Sequence, residues 1–117
     1  MPDQALIQQQ IELALIEDLG SGDRTAALIP AASVSTVEVI CRDRAIVCGI
    51  AWFNETFCQL DASIDIEWFC QDGQAVEPGT LLCRLQGSTR SLLSGERTAL
   101  NYLQTLSATA TRASIYA

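Results

Sequence analysis

Leu81-Leu82-Cys83-Arg84-Leu85-Gln86-Gly87-Ser88 leads into Thr89-Arg90-Ser91-Leu92-Leu93-Ser94-Gly95-Glu96-Arg97-Thr98-Ala99-Leu100-Asn101-Tyr102-Leu103-Gln104-Thr105-Leu106, and the apolar period changes between the two blocks. Leu81, Cys83 and Leu85 recur at every second position, the spacing of a strand with one buried face. Beyond Gly87, which closes that strand, Leu92, Leu93, Ala99, Leu100, Leu103 and Leu106 share one face of a helix, and Ser88 stands where a hydroxyl caps the first turn. Gly95 is the weak point of this helix, expected to cost about 1 kcal/mol against alanine if its position is exposed.

Working back from this block, Pro78-Gly79 suits the central positions of a type II turn and Asp72-Gly73 a hairpin-type turn. Ile64, Ile66 and Trp68 alternate with acids as a strand, and Phe53, Phe57 and Leu60 predict a helix over Ile50 to Leu60. Thr36 to Cys41 alternates, with Val37, Val39 and Cys41 on one face, and Ala45 to Cys48 reads as a second short strand. At the start, Ile7, Ile11, Ala14, Leu15 and Leu19 predict an amphipathic helix over residues 4–19, with Asp3 as N-cap and Gly20 as C′ glycine. Ser21-Gly22-Asp23-Arg24-Thr25 then reads as a turn. The order of helix, strands, helix, strands, helix predicts an α+β fold, with helices packed on a mostly antiparallel sheet.

The 117 residues fit one domain, and with 49% hydrophobic residues they can build a core. No apolar run approaches a membrane span, and no secretory signal is visible, so a cytoplasmic, membrane-free protein is expected. Cys41, Cys48, Cys58, Cys70 and Cys83 lack metal spacing and read as reduced thiols, so no metal ligands are expected in the chain. Fourteen acidic residues face seven basic ones, a net charge of −7, which makes nucleic acid a poor partner. All the basic side chains are arginine; without lysine or histidine the chain has no Ser-His-Asp or Cys-His pair, Schiff-base lysine or P-loop lysine. No catalytic residue is assigned within it. An anion must be held here by arginine, hydroxyls or backbone N–H groups.

Three stretches stand out: Ala14 through Thr25, Asp72 through Gly79, and Gly95 through Ser107. In the third, Arg90, Ser94, Arg97, Asn101 and Gln104 or Thr105 fall on one polar stripe opposite the leucines. Arg97 has no acid three or four residues away, because Leu93, Ser94, Leu100 and Asn101 occupy those positions. Its planar fork is then available for an external carboxylate or phosphate. Pattern alone favours the plainer reading, a solvated arginine or one paired with an acid elsewhere in the domain. The pattern Asp-Gly-x-x-Val-x-x-Gly-x-x-Leu from Asp72 also occurs in biotinyl and lipoyl carrier domains, but covalent carriage needs a lysine. Glu17, Asp18 and Asp23 read as a solvated helix end or an interdomain contact.

Together the stretches resemble the quinolinate phosphoribosyltransferase family. The resemblance runs in order through Glu17-Asp18-x-Gly20-x-Gly22-Asp23-x-Thr25, Ile29-Pro30, Cys48-Gly49, Asp72-Gly73 through Gly79, and Gly95-Glu96-Arg97-Thr98-Ala99-Leu100-Asn101, continued by Leu103-Gln104-x-Leu106-Ser107. Where the family usually has Ser-Gly-(Ile/Val)-Ala-Thr, this chain has Ser107-Ala108-Thr109-Ala110-Thr111. The resemblance implies an α/β-hammerhead-like sandwich that precedes a catalytic α/β barrel and covers the barrel mouth of a dimer partner. It implies that Arg97 reaches across to the quinolinate carboxylates. It also implies a magnesium-assisted reaction of quinolinate with phosphoribosyl pyrophosphate, giving nicotinate mononucleotide, carbon dioxide and pyrophosphate on the route to NAD. Residues 1–106 are then the substrate-capping domain and 107–117 the start of the connection to a barrel that this sequence lacks, so the chain alone is expected to be inactive. A related phosphoribosyltransferase with another substrate, or a non-catalytic binding module on the same fold, are the alternatives.

Overall fold

The computed structural model describes residues 3–22 and 28–116, with side chains for 3–18 and 28–112. Helix α1 spans Gln4–Gly22. Asp3 caps it: its carboxylate accepts from the Ala5 N–H at 3.1 Å, and its carbonyl accepts from Leu6 and Ile7. Ile7, Ile11 and Leu15 are buried as the spacing requires, while the Leu19 side chain lies outside the described residues. Gly20 does not end the helix, which keeps Ser21 and Gly22 within it; glycine permits a left-handed turn without enforcing one. The rest of the predicted turn, Asp23-Arg24-Thr25, falls outside the described residues.

Five strands follow: β1 (Val34–Ile40), β2 (Ala45–Ile46), β3 (Asp65–Trp68), β4 (Ala75–Val76) and β5 (Leu81–Ser88). Helix α2 (Ile50–Leu60) separates β2 from β3, over the span its aromatic spacing predicts. Helix α3 (Thr89–Tyr116) follows β5 directly, with the Ser88 hydroxyl accepting from the Ser91 N–H at 3.5 Å. β5 lies between β1 and β3, and β2 pairs with β4; every pairing is antiparallel. Mixed helices and antiparallel sheet agree with the α+β reading, and no closed barrel forms among the described strands.

Several boundaries differ from the sequence reading. β1 starts at Val34, and β2 ends at Ile46, after which Val47 donates to the Gln74 carbonyl. Asp72-Gly73 does not join two paired strands: Gly73, at φ 87°, donates to Val47 instead, and β3 finds its partner in β5. Pro78-Gly79 behaves as expected, with Gly79 at φ 89° and Thr80 donating to the Glu77 carbonyl. The register shifts between Val39 and Ile40, so that Val39 faces Cys83 while Ile40 faces Leu81. This bulge turns both Leu82 and Cys83 inward, at 8% and 0% exposure, which strict alternation could not provide. Val37 remains 38% exposed whereas Val39 packs against the main core, although both line an open groove between β1 and α3.

The main core gathers Val47, Phe53, Phe57, Leu85, Leu92 and Leu103 between the sheet and helices α2 and α3. The Phe53 ring meets Trp68 edge-on, with centroids 5.1 Å apart. A second cluster seats Ile7, Ile11 and Leu15 of α1 against Trp52, Leu60 and Tyr102. Around it, Gln4 donates to Glu55 at 3.0 Å and Trp52 Nε1 to Gln10 at 2.9 Å. Helix α3 continues without a break past Leu106, where Ser107 Oγ both accepts from the Cys48 N–H and donates to the Cys48 carbonyl, each at 3.0 Å. Thr111 Oγ1 likewise accepts from the Ile46 N–H at 2.9 Å. Thr111 thus binds β2 to the helix, and Ser107 binds the segment that follows β2. No described helix is long and apolar enough to cross a membrane.

Gly95 has a different role from the exposed weak point the sequence allowed for. It is buried where α2 meets α3, and a β-carbon there would lie 2.6 Å from Phe57 Cε1 and 2.9 Å from Leu60 Cδ1. The Phe57 ring is buried at 3% exposure and has little room to withdraw. Gly95→Ala therefore separates the two helices and lowers stability by about 1–3 kcal/mol in a denaturant titration, although alanine is the better helix former. A stabilised variant would refute this close packing.

The thiols are graded by the same core. Cys58 is exposed, whereas Cys41, Cys70 and Cys83 are buried. Burial, with Cys70 adding to it, pushes the Cys83 thiol up to about 12, and burial likewise raises Cys70 and Cys48. Mass spectrometry after brief alkylation near pH 8 is expected to find Cys58 labelled first and Cys83 only after denaturation. Labelling of Cys83 at the rate of Cys58 would contradict the buried position.

Candidate functional site

Arg97 stands on α3 where the end of α1 crosses it, and the crossing has a physical basis. Leu92, Ala99 and Leu103 commit one side of α3 to the core, while Tyr102 packs against the Ile7, Ile11 and Leu15 cluster of α1. That packing brings Ala14, Glu17 and Asp18 of α1 beside Arg97, Thr98, Asn101 and Tyr102 of α3 around a cleft of about 380 Å³. Arg97 is exposed, and among the described residues its side chain makes no ion pair or hydrogen bond. Elsewhere Arg84 pairs with Glu38 at 2.9 Å and Arg44 with Glu77 at 3.3 Å. An exposed guanidinium at the rim of a cleft is chemically suited to a carboxylate or phosphate presented from outside it.

The cleft also contains what helical spacing could not reveal. Helix neighbours three and four residues away give Arg97 no acid, but α1 contributes Glu17 and Asp18 from about eighty positions earlier. Asp18 is half-buried and accepts a hydrogen bond from Thr98 Oγ1, so it is not a fully solvated helix end. Thr98 itself is only 2% exposed. Its signal in the sequence was a hydroxyl beside Ala99 on the apolar side of α3, which alone names no partner. Asp23 falls outside the described residues.

The predicted polar stripe does not act as a unit. Arg97 and Asn101 line the cleft beside α1. Arg90 donates through Nε to the Ile29 carbonyl, and Ser94 is also engaged. Gln104 lies instead along the groove between α3 and β1. That groove is larger, about 1100 Å³, and much of its wall is apolar core surface, including Phe53, Phe57, Leu85 and Leu100. The larger groove also carries Arg42, Arg112, carboxylates and hydroxyls along its rim, whereas the smaller cleft brings Arg97 together with the hydroxyl, amide and carboxylate groups of α1 and α3. Among the described residues, no group of three or more cysteine, aspartate and glutamate side chains is arranged to hold a metal ion.

Comparison with known proteins bears on the family and the fold. Residues 23–107 match the family model described as quinolinate phosphoribosyl transferase, N-terminal domain. A quinolinate phosphoribosyltransferase (decarboxylating) of Nicotiana glauca is 38% identical over 103 residues, which are 86% of this chain and 29% of that protein. A probable nicotinate-nucleotide pyrophosphorylase (carboxylating) of Bacillus subtilis is 34% identical over 96 residues, 82% of this chain and 33% of that protein. The structure of the nicotinate-nucleotide pyrophosphorylase from Francisella tularensis superimposes with a TM-score of 0.91 at 37% identity, over 95% of this chain and 39% of that one. The chain thus spans about a third of the length of the curated relatives it matches.

Proposed function

The chain belongs to the quinolinate phosphoribosyltransferase family, through its N-terminal domain, and from that premise we propose that it is the substrate-capping part of an enzyme making nicotinate mononucleotide from quinolinate and phosphoribosyl pyrophosphate. One observation carries the reading at residue level: the exposed Arg97 guanidinium, without an ion pair among the described residues, at the rim of a polar cleft. Quinolinate is a planar dicarboxylate, and a guanidinium fork can meet one of its carboxylates with two parallel hydrogen bonds. We assign Arg97 that contact, made across a homodimer interface into the active site of the other subunit. Residues 1–106 form the cap, and 107–117 lead toward the catalytic portion.

In the proposed reaction the pyridine nitrogen bonds to the ribose anomeric carbon as pyrophosphate departs; the carboxylate next to that nitrogen then leaves as carbon dioxide, and the electron pair left on the ring carbon takes up a proton. This chain contributes binding and orientation to those steps. It has no histidine or lysine to move protons or to clamp a pyrophosphate, and we assign the magnesium of the proposed reaction to groups of the catalytic portion. The apolar surface along α3, with Leu93 40% exposed at the groove, supports a face that meets further polypeptide. We place the enzyme in the cytoplasm, on the NAD biosynthetic route.

The test uses the protein that carries this domain together with a catalytic portion. Arg97→Ala is expected to reduce kcat/KM for quinolinate by about 2–4 kcal/mol in transition-state terms, with much less effect on the dependence on phosphoribosyl pyrophosphate. The 117-residue chain alone is expected to form no nicotinate mononucleotide. An Arg97→Ala enzyme with wild-type kcat/KM for quinolinate would end the assignment.

A further inference from the structure

Arg97 and Thr98 are adjacent in α3 but have opposite surroundings. Arg97 is exposed, whereas Thr98 is 2% exposed and its hydroxyl donates to the Asp18 carboxylate. The first half of α1 is bonded to α2, through Gln4 to Glu55, Trp52 to Gln10, and Gln59 to the Gln8 carbonyl. The last turns of α1 are bonded instead to α3, through Asp18. A hydrogen bond to an ionised carboxylate is shorter and stronger than a neutral one, and losing one partner leaves the other poorly satisfied. The floor of the Arg97 cleft is therefore a specific polar joint between two helices.

We propose that Thr98 and Asp18 are a positioning pair for Arg97, holding the end of α1 so that Glu17 and Asp18 form the inner wall of its cleft. This rests on the anion-binding reading of Arg97 and deepens it in two ways. The wall carboxylates draw the guanidinium toward α1 and narrow the rotamers it samples, so less side-chain entropy is lost when an anion binds. They also repel an anion from the cleft itself. A ligand carboxylate then meets Arg97 from the mouth, on the side away from α1, as a ligand seated on another surface would.

The first experiment needs no substrate and uses the 117-residue chain. In Thr98→Val, the Arg97 Nε–H is expected to lose order in 15N relaxation, and amides from Ala14 to Asp18 to exchange about tenfold faster, a local opening. Thr98→Ser is expected to restore both. Asp18→Asn, which can still accept the hydroxyl, is expected to keep the exchange protection while loosening Arg97. It supplies a readout should the valine variant fold poorly. An Arg97 side chain equally ordered in wild type, Thr98→Val and Asp18→Asn would overturn the proposal.

The second experiment uses the protein that also carries a catalytic portion. Thr98→Val is expected to raise KM for quinolinate severalfold, with kcat and the KM for phosphoribosyl pyrophosphate near wild type. In an Arg97→Ala background the same change is expected to have no further effect, because Thr98 acts through Arg97. Full additivity of the two substitutions would reject the pair as a positioning device. A silent Arg97→Ala, with the relaxation results intact, would reject the anion-binding reading and leave the helix joint standing.

Discussion

The close approach of α2 and α3 at Gly95 sets the geometry of everything else. With no β-carbon there, the Phe57 ring lies directly on the α3 backbone, and α2 comes close enough to share one core with the sheet. Helix α1 then packs across α2 and α3 together, on Trp52, Leu60 and Tyr102. The position of Asp18 beside Thr98, and so the shape of the cleft at Arg97, depends on how near α2 lies to α3. A glycine that helix propensity alone would condemn is the residue that permits the packing.

Helix α3 combines three functions along 28 residues. Its first turns continue β5 and are capped by Ser88. Its middle commits Leu92, Ala99 and Leu103 to the core and presents Arg97 to solvent. Its later turns hold β2 through Thr111 and the segment after it through Ser107, satisfying backbone groups of Ile46 and Cys48. The small side chains that follow Leu106 thus serve to let a helix and a short strand lie against each other. Gly49, at φ 104°, makes the same approach possible from the other side, where a β-carbon would sit 3.0 Å from Leu106.

The domain keeps its charges at its edges. Glu38 and Arg84 pair across β1 and β5 on the solvent side of the sheet, and Arg44 pairs with Glu77 between two loops. Both pairs are well exposed and contribute little to stability. Arg97, like Arg42 and Arg112, forms no ion pair among the described residues, and it shares its cleft with Glu17 and Asp18.

Local pattern alone determined much of this protein. The limits of α2, the cap at Asp3, the type II turn at Pro78-Gly79 and the α+β order all follow from interactions within a few residues, which spacing and turn chemistry record. Arg97 was legible as a candidate because the absence of an acid on its own helix is likewise a local fact. Only the tertiary structure decided the bulge that buries Leu82, the pairing of β3 with β5, the need for Gly95, and the meeting of Asp18 with Thr98. Each depends on which distant surfaces approach one another and how closely. Such distances come from the packing of whole side-chain layers, and no periodicity along one chain encodes them.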